Sequence, residues 1–410
     1  MRIASLSLPA FVIVNIVCLG ASITVATAEN AQRITVSAGE FNRADTVIVF
    51  QLPESARNCN SLKDAEGNLL PLQMEPGGHA VYVEPGLKKD ASKTYALVAA
   101  RREPSADALR ADQSADGVVK FFAGQSPILH YQAKPGAFPR PDIKPGYRRG
   151  GYLHPVFSPS GKLVTDDFPP NHVHHHGIWL PWTRTEFEGR QPDFWNMGEG
   201  KGTVEFVALN KTWGGEVHAG FQSQHRFVDL TVLPPKPALN ETWEVTIFNT
   251  GRGVKRYWMF DLVSTQVCAS SSPLKLPKYY YGGLGVRGNW QWNGTNKTSF
   301  LTSEGETDRV KGNETRGRWC HVSGEVDGQL TGIAILCQSD NFRAPQPMRL
   351  HPSEPFFCFA PSQLGDWEIS PGKPYVSRYR FVVADGPPDK TELERLWNDY
   401  AHPPTARLIE

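Results

Sequence analysis

Apolar and polar residues alternate in short runs throughout residues 118–384, and no helical period survives for three turns there. The clearest run is TWEVTI, residues 242–247, in which every second side chain is apolar. Strict alternation is typical of antiparallel strands with one buried face, and strands without intervening helices cannot form parallel βαβ units. The pattern predicts a mainly β protein with a large antiparallel β-sandwich over residues 118–388. Its other candidate strands are Val204–Leu209, Ala219–Phe227, Leu230–Leu233, Tyr257–Val267, Gly332–Cys337 and Tyr375–Ala384.

Two smaller segments flank this domain. Residues 29–117 contain short apolar runs separated by turn sequences, which predicts a small immunoglobulin-like β domain of about seven strands. The polar end of this segment, residues 101–117, is predicted to be a linker. Residues 389–410 predict a C-terminal helix and tail, because Asp389 can cap a helix and an apolar stripe follows at helical spacing. The stripe consists of Leu393, Leu396, Trp397 and Tyr400.

The N-terminal segment, residues 1–28, has the pattern of a secretory signal peptide. Arg2 gives a charged start, an apolar core follows, and Ala26-Thr27-Ala28 is an A-x-A cleavage sequence. A membrane anchor is the alternative, because the uncharged run is long enough to span a bilayer. We expect cleavage, and therefore an exported, periplasmic or extracellular protein without integral membrane association. The formal net charge of +1 gives no electrostatic reason to expect nucleic acid as a partner.

The cysteines that follow the predicted signal peptide indicate no clear disulfide framework. They are Cys59, Cys268, Cys320, Cys337 and Cys358. An odd number leaves at least one thiol free or paired with another chain, and no C-x-x-C spacing indicates a metal or redox site. A disulfide between Cys320 and Cys337 is possible if their segments form adjacent strands.

The densest group of titratable side chains lies in residues 166–182, which contain His172, His174, His175 and His176. In an extended conformation, His172, His174 and His176 share one face and His175 points to the other. Imidazoles spaced in this way can bind a divalent transition metal such as zinc or copper, and the candidate ligands are His172, His174 and His175. The alternative is that these histidines hydrogen-bond within a loop and line a wet pocket, since no H-E-x-x-H motif is present.

Acid–base chemistry on a sugar is a second interpretation of the same residues, because imidazole titrates near neutral pH. The candidate catalytic residues are then His172, His174 and His175. Flat rings for sugar stacking and planar donors for hydroxyl or carboxylate groups predict the substrate contacts Trp179, Trp195, Arg287, Trp290, Trp292, Asn341, Arg343 and His351. Trp290 and Trp292 are the better stacking candidates, because the surrounding Gly-, Asn- and Gln-rich segment is a poor context for a core.

Several separated motifs resemble one family of secreted bacterial proteins. They are YLHP at 152–155, PSG at 159–161, FPPNHVHHHG at 168–177, FW at 194–195, YGGLGVR at 281–287 and NFRAP at 341–345. Over residues 128–384 they are similar to the PmoA-like family of unknown function, also called methane oxygenase PmoA. The family pattern is D-H-P-H-H-R/Q-G, so Asn171, Val173 and His176 depart from it here. The positions that match the family pattern, and on which any inference from the family depends, are His172, His174, His175 and Gly177.

The resemblance implies a galactose-mutarotase-like β-sandwich and a sugar-related role connected with carbohydrate degradation. The family name implies a methane monooxygenase subunit, which is a polytopic membrane protein, whereas no stretch after residue 28 is apolar enough to span a bilayer. We therefore predict an exported carbohydrate-active protein that epimerises, eliminates or hydrolyses a sugar or oligosaccharide. The alternatives are a metal-dependent enzyme that uses the same histidines and a non-catalytic glycan-binding protein.

Overall fold

The computed structural model describes residues 32–75, 78–103, 105–251 and 256–409. Residues from 32 onward cluster as one compact unit. The predicted signal peptide, residues 1–28, lies outside the described residues. No helix in the described ranges is both long enough and apolar enough to cross a membrane.

Seven short strands form in the first hundred residues, in the number predicted. They are β1 (Arg33–Ser37), β2 (Arg43–Gln51), β3 (Ser61–Lys63), β4 (Leu69–Pro71), β5 (Gln73–Met74), β6 (His79–Leu87) and β7 (Ser92–Val98). Strands β1, β7, β3 and β4 belong to one sheet, and β2, β6 and β5 form another. The two sheets share a small core that includes Ile34, Ile48 and Tyr82.

The larger region follows with strands joined by few helices. Its first strands are β8 (Leu109–Gln113), β9 (Val118–Ala123), β10 (Ser126–Gln132), β11 (Tyr152–Val156), β12 (Ile178–Trp179), β13 (Glu186–Phe187), β14 (Gly202–Trp213), β15 (His218–Asp229), β16 (Lys236–Phe248) and β17 (Tyr257–Cys268). Its later elements are β18 (Leu274–Leu276), β19 (Leu284–Arg287), β20 (Ser299–Thr302), the one-turn helix α1 (Arg309–Gly312), β21 (Trp319–Val326), β22 (Gln329–Cys337), β23 (Met348–Leu350), β24 (Phe356–Phe359), β25 (Trp367–Ile369), β26 (Tyr375–Asp385), α2 (Lys390–Ala401) and β27 (Thr405–Ile409).

Two eight-stranded sheets form the predicted antiparallel sandwich. Sheet one has the order β23-β24-β19-β12-β11-β10-β9-β8, and sheet two has the order β14-β15-β16-β17-β26-β22-β21-β20. The main core lies between them and contains Val286 and Phe357 from sheet one and Val245, Leu262 and Phe381 from sheet two. Strands β13, β18 and β25 form a small third sheet. The alternation in residues 242–247 therefore has the predicted cause, which is one face of β16 buried in the sandwich.

The predicted C-terminal helix is confirmed as α2. The Asp389 carboxylate accepts a hydrogen bond of 3.1 Å from the backbone N–H of Glu392, which satisfies one of the free donors of the first turn. The predicted apolar stripe packs on the outer face of sheet two, beside residues of β2 and β6. The tail beyond α2 is also ordered, because β27 pairs with β1 in the first small sheet.

Two local predictions were wrong. The proposed strand at residues 230–233 is a bend, because the prolines that follow it lack the N–H group that a ladder needs. The proposed linker at residues 101–117 contains β8, which pairs with β9 at the edge of sheet one. In this strand Leu109 is buried and Ala111 packs partly buried against the main core, so its sequence has too few apolar residues to reveal it.

The five described cysteines are free. Cys320 and Cys337 do lie on adjacent strands, β21 and β22, but they do not face each other. Cys320 is opposite Ile335, and Cys337 is opposite Tyr379 of β26, so the proposed disulfide does not form.

Candidate active site

A cavity of about 220 Å³ opens on the outer face of sheet one, away from the sandwich core. It is lined by His172, His174, His175, Trp195, Asn196, Tyr280, Tyr281, Arg349, His351 and Phe356. Three of the four histidines of the dense segment therefore reach it, together with His351. We call His172, His174, His175 and His351 the imidazole cluster.

Strand order in sheet one explains why these distant residues meet. Strands β23, β24, β19 and β12 are neighbours, and each pair is antiparallel. The last residue of β23 and the first residue of β12 therefore lie at the same end of the strands. The histidine segment leads into β12, and Arg349 and His351 lie at the end of β23. Outer-face space is provided by Gly285 of β19, where a Cβ atom would lie 3.0 Å from the Trp195 ring and 3.1 Å from Trp179.

The histidine segment is not extended. The backbone N–H of His172 donates to the carbonyl of Pro169 at 3.0 Å, and the N–H of His175 donates to the carbonyl of His172 at 2.8 Å. Two tight turns thus follow each other, and the alternating faces expected from a strand do not apply. His175 lines the cavity beside His172 and His174, whereas His176 turns away from it.

The rings of the cluster are packed in a definite order. His172 stacks on His175 with ring centroids 4.7 Å apart and an interplanar angle of 11°, and His175 stacks on Phe356 at 4.6 Å. His174 stands at a steep angle to both histidines of this column, and His351 stands at 80° to His172.

Burial keeps all four imidazoles of the cluster neutral at neutral pH. It lowers the pKa of His174 and of His351 to about 4, and it lowers the pKa of His175 well below the usual range. Burial also lowers the pKa of His172, and the positive charge of Arg287 adds to this effect. A neutral imidazole has one free ring nitrogen that can take up a proton, and the imidazolium formed in this way can give the proton up again, so the cluster can act first as a base and then as an acid.

His176 belongs to a separate network behind the cavity. Its Nδ1 atom donates to the Asp167 carboxylate at 2.6 Å, and the Tyr152 hydroxyl donates to the other carboxylate oxygen at 2.9 Å. Burial raises the pKa of Asp167 to about 6 and lowers the pKa of His176 well below its usual value. The pair holds the end of the histidine segment against β11, and His176 itself does not line the cavity.

The cavity has an aromatic and amide wall that the sequence did not predict. Tyr280 is 44% exposed beside the cavity, and its ring centroid lies 4.9 Å from that of Tyr281. The Asn196 side chain donates to the Tyr281 hydroxyl at 3.1 Å and to the Asp193 carboxylate at 2.8 Å, which fixes its position. The tyrosines directly precede the glycine-rich run 282–285.

Arg287 lies near the cluster but does not line the cavity. Its side chain is fully buried, and Nη2 donates to Asn293 at 2.6 Å and to Glu354 at 3.0 Å. Its Nε and Nη1 atoms are buried without a partner among the described residues. Arg287 therefore acts on the cluster through its charge, and the predicted direct contact with substrate is not supported by its position.

Several predicted substrate contacts lie elsewhere. Trp179 is buried behind Trp195, with ring centroids 4.9 Å apart, and Trp292 is wholly buried in the main core. Trp290 is 61% exposed but lines another cavity, which shares no described residue with this one. The polar context of residues 288–294 did not prevent Trp292 from packing between the two sheets, so the stacking prediction was wrong for it.

Asn341 and Arg343 have structural roles in one loop. The Asn341 side chain donates to the Arg378 carbonyl at 2.7 Å and accepts from the Arg378 N–H at 2.8 Å. The Arg343 guanidinium donates to the carbonyls of Pro361 and Gly365. Both side chains are occupied by backbone groups, and neither lines the cavity.

Arg349 is the most important cavity residue that the sequence prediction missed. It lies two positions before His351, and alternate residues of a strand share a face. The presence of His351 among the candidates was thus a signal for Arg349. Phe356 had no comparable signal, because its place beside His175 depends on the pairing of β24 with β19.

The side-chain arrangement gives the metal interpretation no support. Within the described ranges, no three His, Cys, Asp or Glu side chains are arranged to hold a metal ion. The parallel stacking of His172 on His175 also prevents both rings from pointing their nitrogens at one ion. A metal site at His172, His174 and His175 remains a prediction.

Comparison with solved structures gives distant similarity alone. The chain is 8% identical to a protein in the Glycosyl Hydrolase Family 38 from Enterococcus faecalis, with a TM-score of 0.41, over 94% of this chain and 48% of that one. It is 9% identical to an alpha-mannosidase from Enterococcus faecalis, with a TM-score of 0.43, over 93% of this chain and 46% of that one. The chain thus spans about half the length of these structures. No curated protein sequence matches it.

A family model matches residues 119–398, which include the sandwich apart from β8, the imidazole cluster and most of α2. The matched region contains all the motifs that carry the PmoA-like resemblance, but the match itself bears no such name. Since it covers more than half of the sequence, the chain belongs to this family, which is a family of unknown function (DUF6807).

Proposed function

We propose that the protein is an enzyme that acts on a sugar ring by histidine acid–base chemistry in this cavity. The observation that carries the proposal is the composition of the lining: four neutral imidazoles and, among the described residues, no carboxylate. One of these neutral imidazoles can accept a proton from a substrate, and the imidazolium formed can deliver a proton to another position, directly or through a neighbouring imidazole. The signal peptide pattern of residues 1–28 adds the proposal that this activity is exported.

Unpaired polar atoms favour a polar ligand. His172 Nδ1, His175 Nδ1 and Trp195 Nε1 are buried and have no hydrogen-bond partner among the described residues. A buried nitrogen without a partner needs an explanation, and where it borders a cavity a ligand or water can complete the hydrogen bond. Together with the tyrosine and phenylalanine rings of the wall, they suit a molecule with both apolar faces and hydroxyl groups, as a sugar has.

The size and the chemistry of the cavity narrow the reaction. Its volume of about 220 Å³ is below the ~300 Å³ at which drug-sized pockets begin, so we expect one ring inside and any further units outside. Typical glycoside hydrolysis needs two carboxylates on either side of the scissile bond. Because the lining contains none in the described part of the chain, we favour epimerisation or elimination over hydrolysis.

Turnover assays with histidine variants test this proposal. The mature protein would be incubated with neutral and acidic sugars and their glycosides, and products would be followed by nuclear magnetic resonance. We expect turnover that falls by about 10² to 10⁴ in kcat in His174→Gln and His351→Gln, the range for loss of an acid–base group. The exposed His79 in the small β region provides the matched control His79→Gln, which should keep full activity.

Two outcomes would contradict the proposal. Sugar binding without turnover in the parent protein would favour the glycan-binding alternative. Turnover that survives both cavity substitutions would show that the cluster is not the catalytic group.

A further inference from the structure

We infer that the sugar bound in this cavity carries a carboxylate, as a uronic acid does, and that Arg349 is the residue that binds it. This inference rests on the proposed function and adds the substrate class. It follows from the charges of the lining side chains and from the way in which Arg349 is held.

Arg349 is the single charged side chain among the described residues that line the cavity. The other lining residues are the four imidazoles, which burial keeps neutral, and uncharged aromatic and amide groups. The lining therefore has one net positive charge. A carboxylate entering it would meet a guanidinium at short range and no competing anion on the wall.

Arg349 is held in place by groups that leave its charge uncompensated. Its guanidinium lies over the Tyr280 ring, 5.3 Å from the centroid, and Nη1 donates to the Asn313 side-chain oxygen at 3.0 Å. In the described part of the chain it makes no ion pair. A planar guanidinium with free donors binds carboxylates with two parallel hydrogen bonds, which is stronger and more specific than a neutral contact.

Arg287 lies behind the wall, and its charge is compensated there. It is buried close enough to lower the pKa of His172 and His175, and it forms an ion pair with Glu354 at 3.0 Å. Glu354 acts in the opposite direction on the pKa of His172 and His351, and Asp193, which accepts hydrogen bonds from the N–H groups of Trp195 and Asn196, does so on that of His174. Neither carboxylate lines the cavity, so the charge that an entering anion meets on the wall is that of Arg349.

A carboxylate also gives the imidazoles a suitable proton to remove. One neutral imidazole takes the proton from the carbon next to the carboxylate, and the electron pair of that C–H bond passes into the carboxylate group. The extra negative charge is stabilised by Arg349. The imidazolium formed in this step then returns a proton, directly or through a neighbouring imidazole of the cluster. The proton goes either to the same carbon, which gives an epimer, or to the departing oxygen on the next carbon, which gives a C=C bond and an alcohol, and the imidazoles are neutral again. No oxidant or reductant is needed in either case.

Calorimetric binding and hydrogen exchange test the inference. The probes are D-glucuronate and D-galacturonate, with D-glucose and D-galactose as neutral counterparts. We expect the acids to bind at least tenfold more tightly than the neutral sugars. In heavy water the acids should exchange the hydrogen next to the carboxylate for deuterium, and this exchange should be lost in His174→Gln.

Substitutions of Arg349 separate charge from geometry. Arg349→Gln should weaken binding of the acids at least tenfold and leave binding of the neutral sugars unchanged, and Arg349→Lys should recover part of the loss. Lys373 is exposed on the turn before β26, so Lys373→Gln removes the same charge away from the cavity and should have no effect.

Equal affinity for acidic and neutral sugars, or unchanged affinity in Arg349→Gln, would overturn the inference. If neutral sugars are turned over in a histidine-dependent manner, the proposed function stands while the inference falls. If neither acidic nor neutral sugars bind at high millimolar concentration, both fall.

Discussion

Two groups of buried histidines in this protein differ in how completely their ring nitrogens are paired. In the imidazole cluster, His172 and His175 each have a buried Nδ1 atom without a partner in the described residues. Inside the sandwich, His225 has both nitrogens engaged: Nδ1 lies 3.0 Å from the Glu241 carboxylate, and Nε2 lies 2.7 Å from the Tyr131 hydroxyl. Ring nitrogens are thus left unpaired at the cavity and are fully hydrogen-bonded around His225. We call the first region the open cluster and the second the closed network.

The closed region is a network that ties the two sheets together. Glu241 of β16 also accepts hydrogen bonds from Ser264 at 2.6 Å and Gln266 at 2.8 Å, both on β17. Tyr131 of β10 brings in sheet one, and its hydroxyl also donates to Ser223 at 2.9 Å. Every group in this network has a partner inside the protein, so we assign it to stability, and we assign the open cluster to chemistry.

Breaking the closed network should have the largest effect on stability. Glu241→Ala leaves His225, Ser264 and Gln266 without their shared acceptor in a buried site, which costs about 3 to 5 kcal/mol of the free energy of unfolding. Chemical denaturation would measure this loss. The matched control is Glu244→Ala on the same strand, whose side chain is 44% exposed, and it should change stability by less than about 1 kcal/mol. Similar small losses in both variants would remove the distinction between the regions.

Acid should destabilise the protein through the open cluster. The folded-state pKa of His174 is lowered to about 4 from an ordinary value of 6.5. Between these values the unfolded chain binds a proton that the folded chain does not, so the free energy of unfolding falls as pH is lowered through this window. His174→Gln should reduce that acid loss by roughly 2 kcal/mol. Denaturation curves across this range would show it, with His79→Gln as the control, and an unchanged pH slope in His174→Gln would contradict the assignment.

A single hydroxyl can be removed from each region for a direct comparison. Tyr131→Phe takes one partner from His225 and Ser223, which should cost about 1 to 2 kcal/mol. Tyr280→Phe at the cavity wall removes a partly exposed hydroxyl and should change stability by less than about 0.5 kcal/mol. Thermal or chemical unfolding of the two variants measures both. A larger loss from Tyr280→Phe would mean that the cavity wall is part of the structural core.

Removing divalent metal should have the smallest effect. Because no three potential ligands converge among the described residues, we expect exhaustive treatment with a chelator to leave turnover and stability unchanged. Elemental analysis of protein purified without a histidine tag would accompany the assay. A stoichiometric transition metal that is lost in a folded His174→Ala/His175→Ala variant would reverse this expectation and favour the metal-dependent alternative.

The sequence predicted those parts of the site that come from one segment. The dense run of histidines identified His172, His174 and His175, and His351 was among the predicted substrate contacts. The extended conformation expected there placed His176 beside His172 and His174 and turned His175 away, whereas the structure does the reverse, since the two turns depend on backbone bonds to Pro169 and His172. The tryptophans were the weakest predictions. Trp179 and Trp292 are of the residue type on which sugars stack, but both are buried as core residues are.

What the sequence by itself determined is local. Alternation of apolar residues specified the strands of the sandwich, and a cap with an apolar stripe specified α2, because these patterns depend on side-chain periodicity within one element. What the tertiary structure alone decided is which elements are neighbours. The order β23-β24-β19-β12 brings Arg349, His351 and Phe356 to the histidine segment, and strand order is set by pairing between segments far apart in the chain. A cavity with one positive charge and no carboxylate on its described lining is a product of that pairing, and no single stretch of sequence contains it.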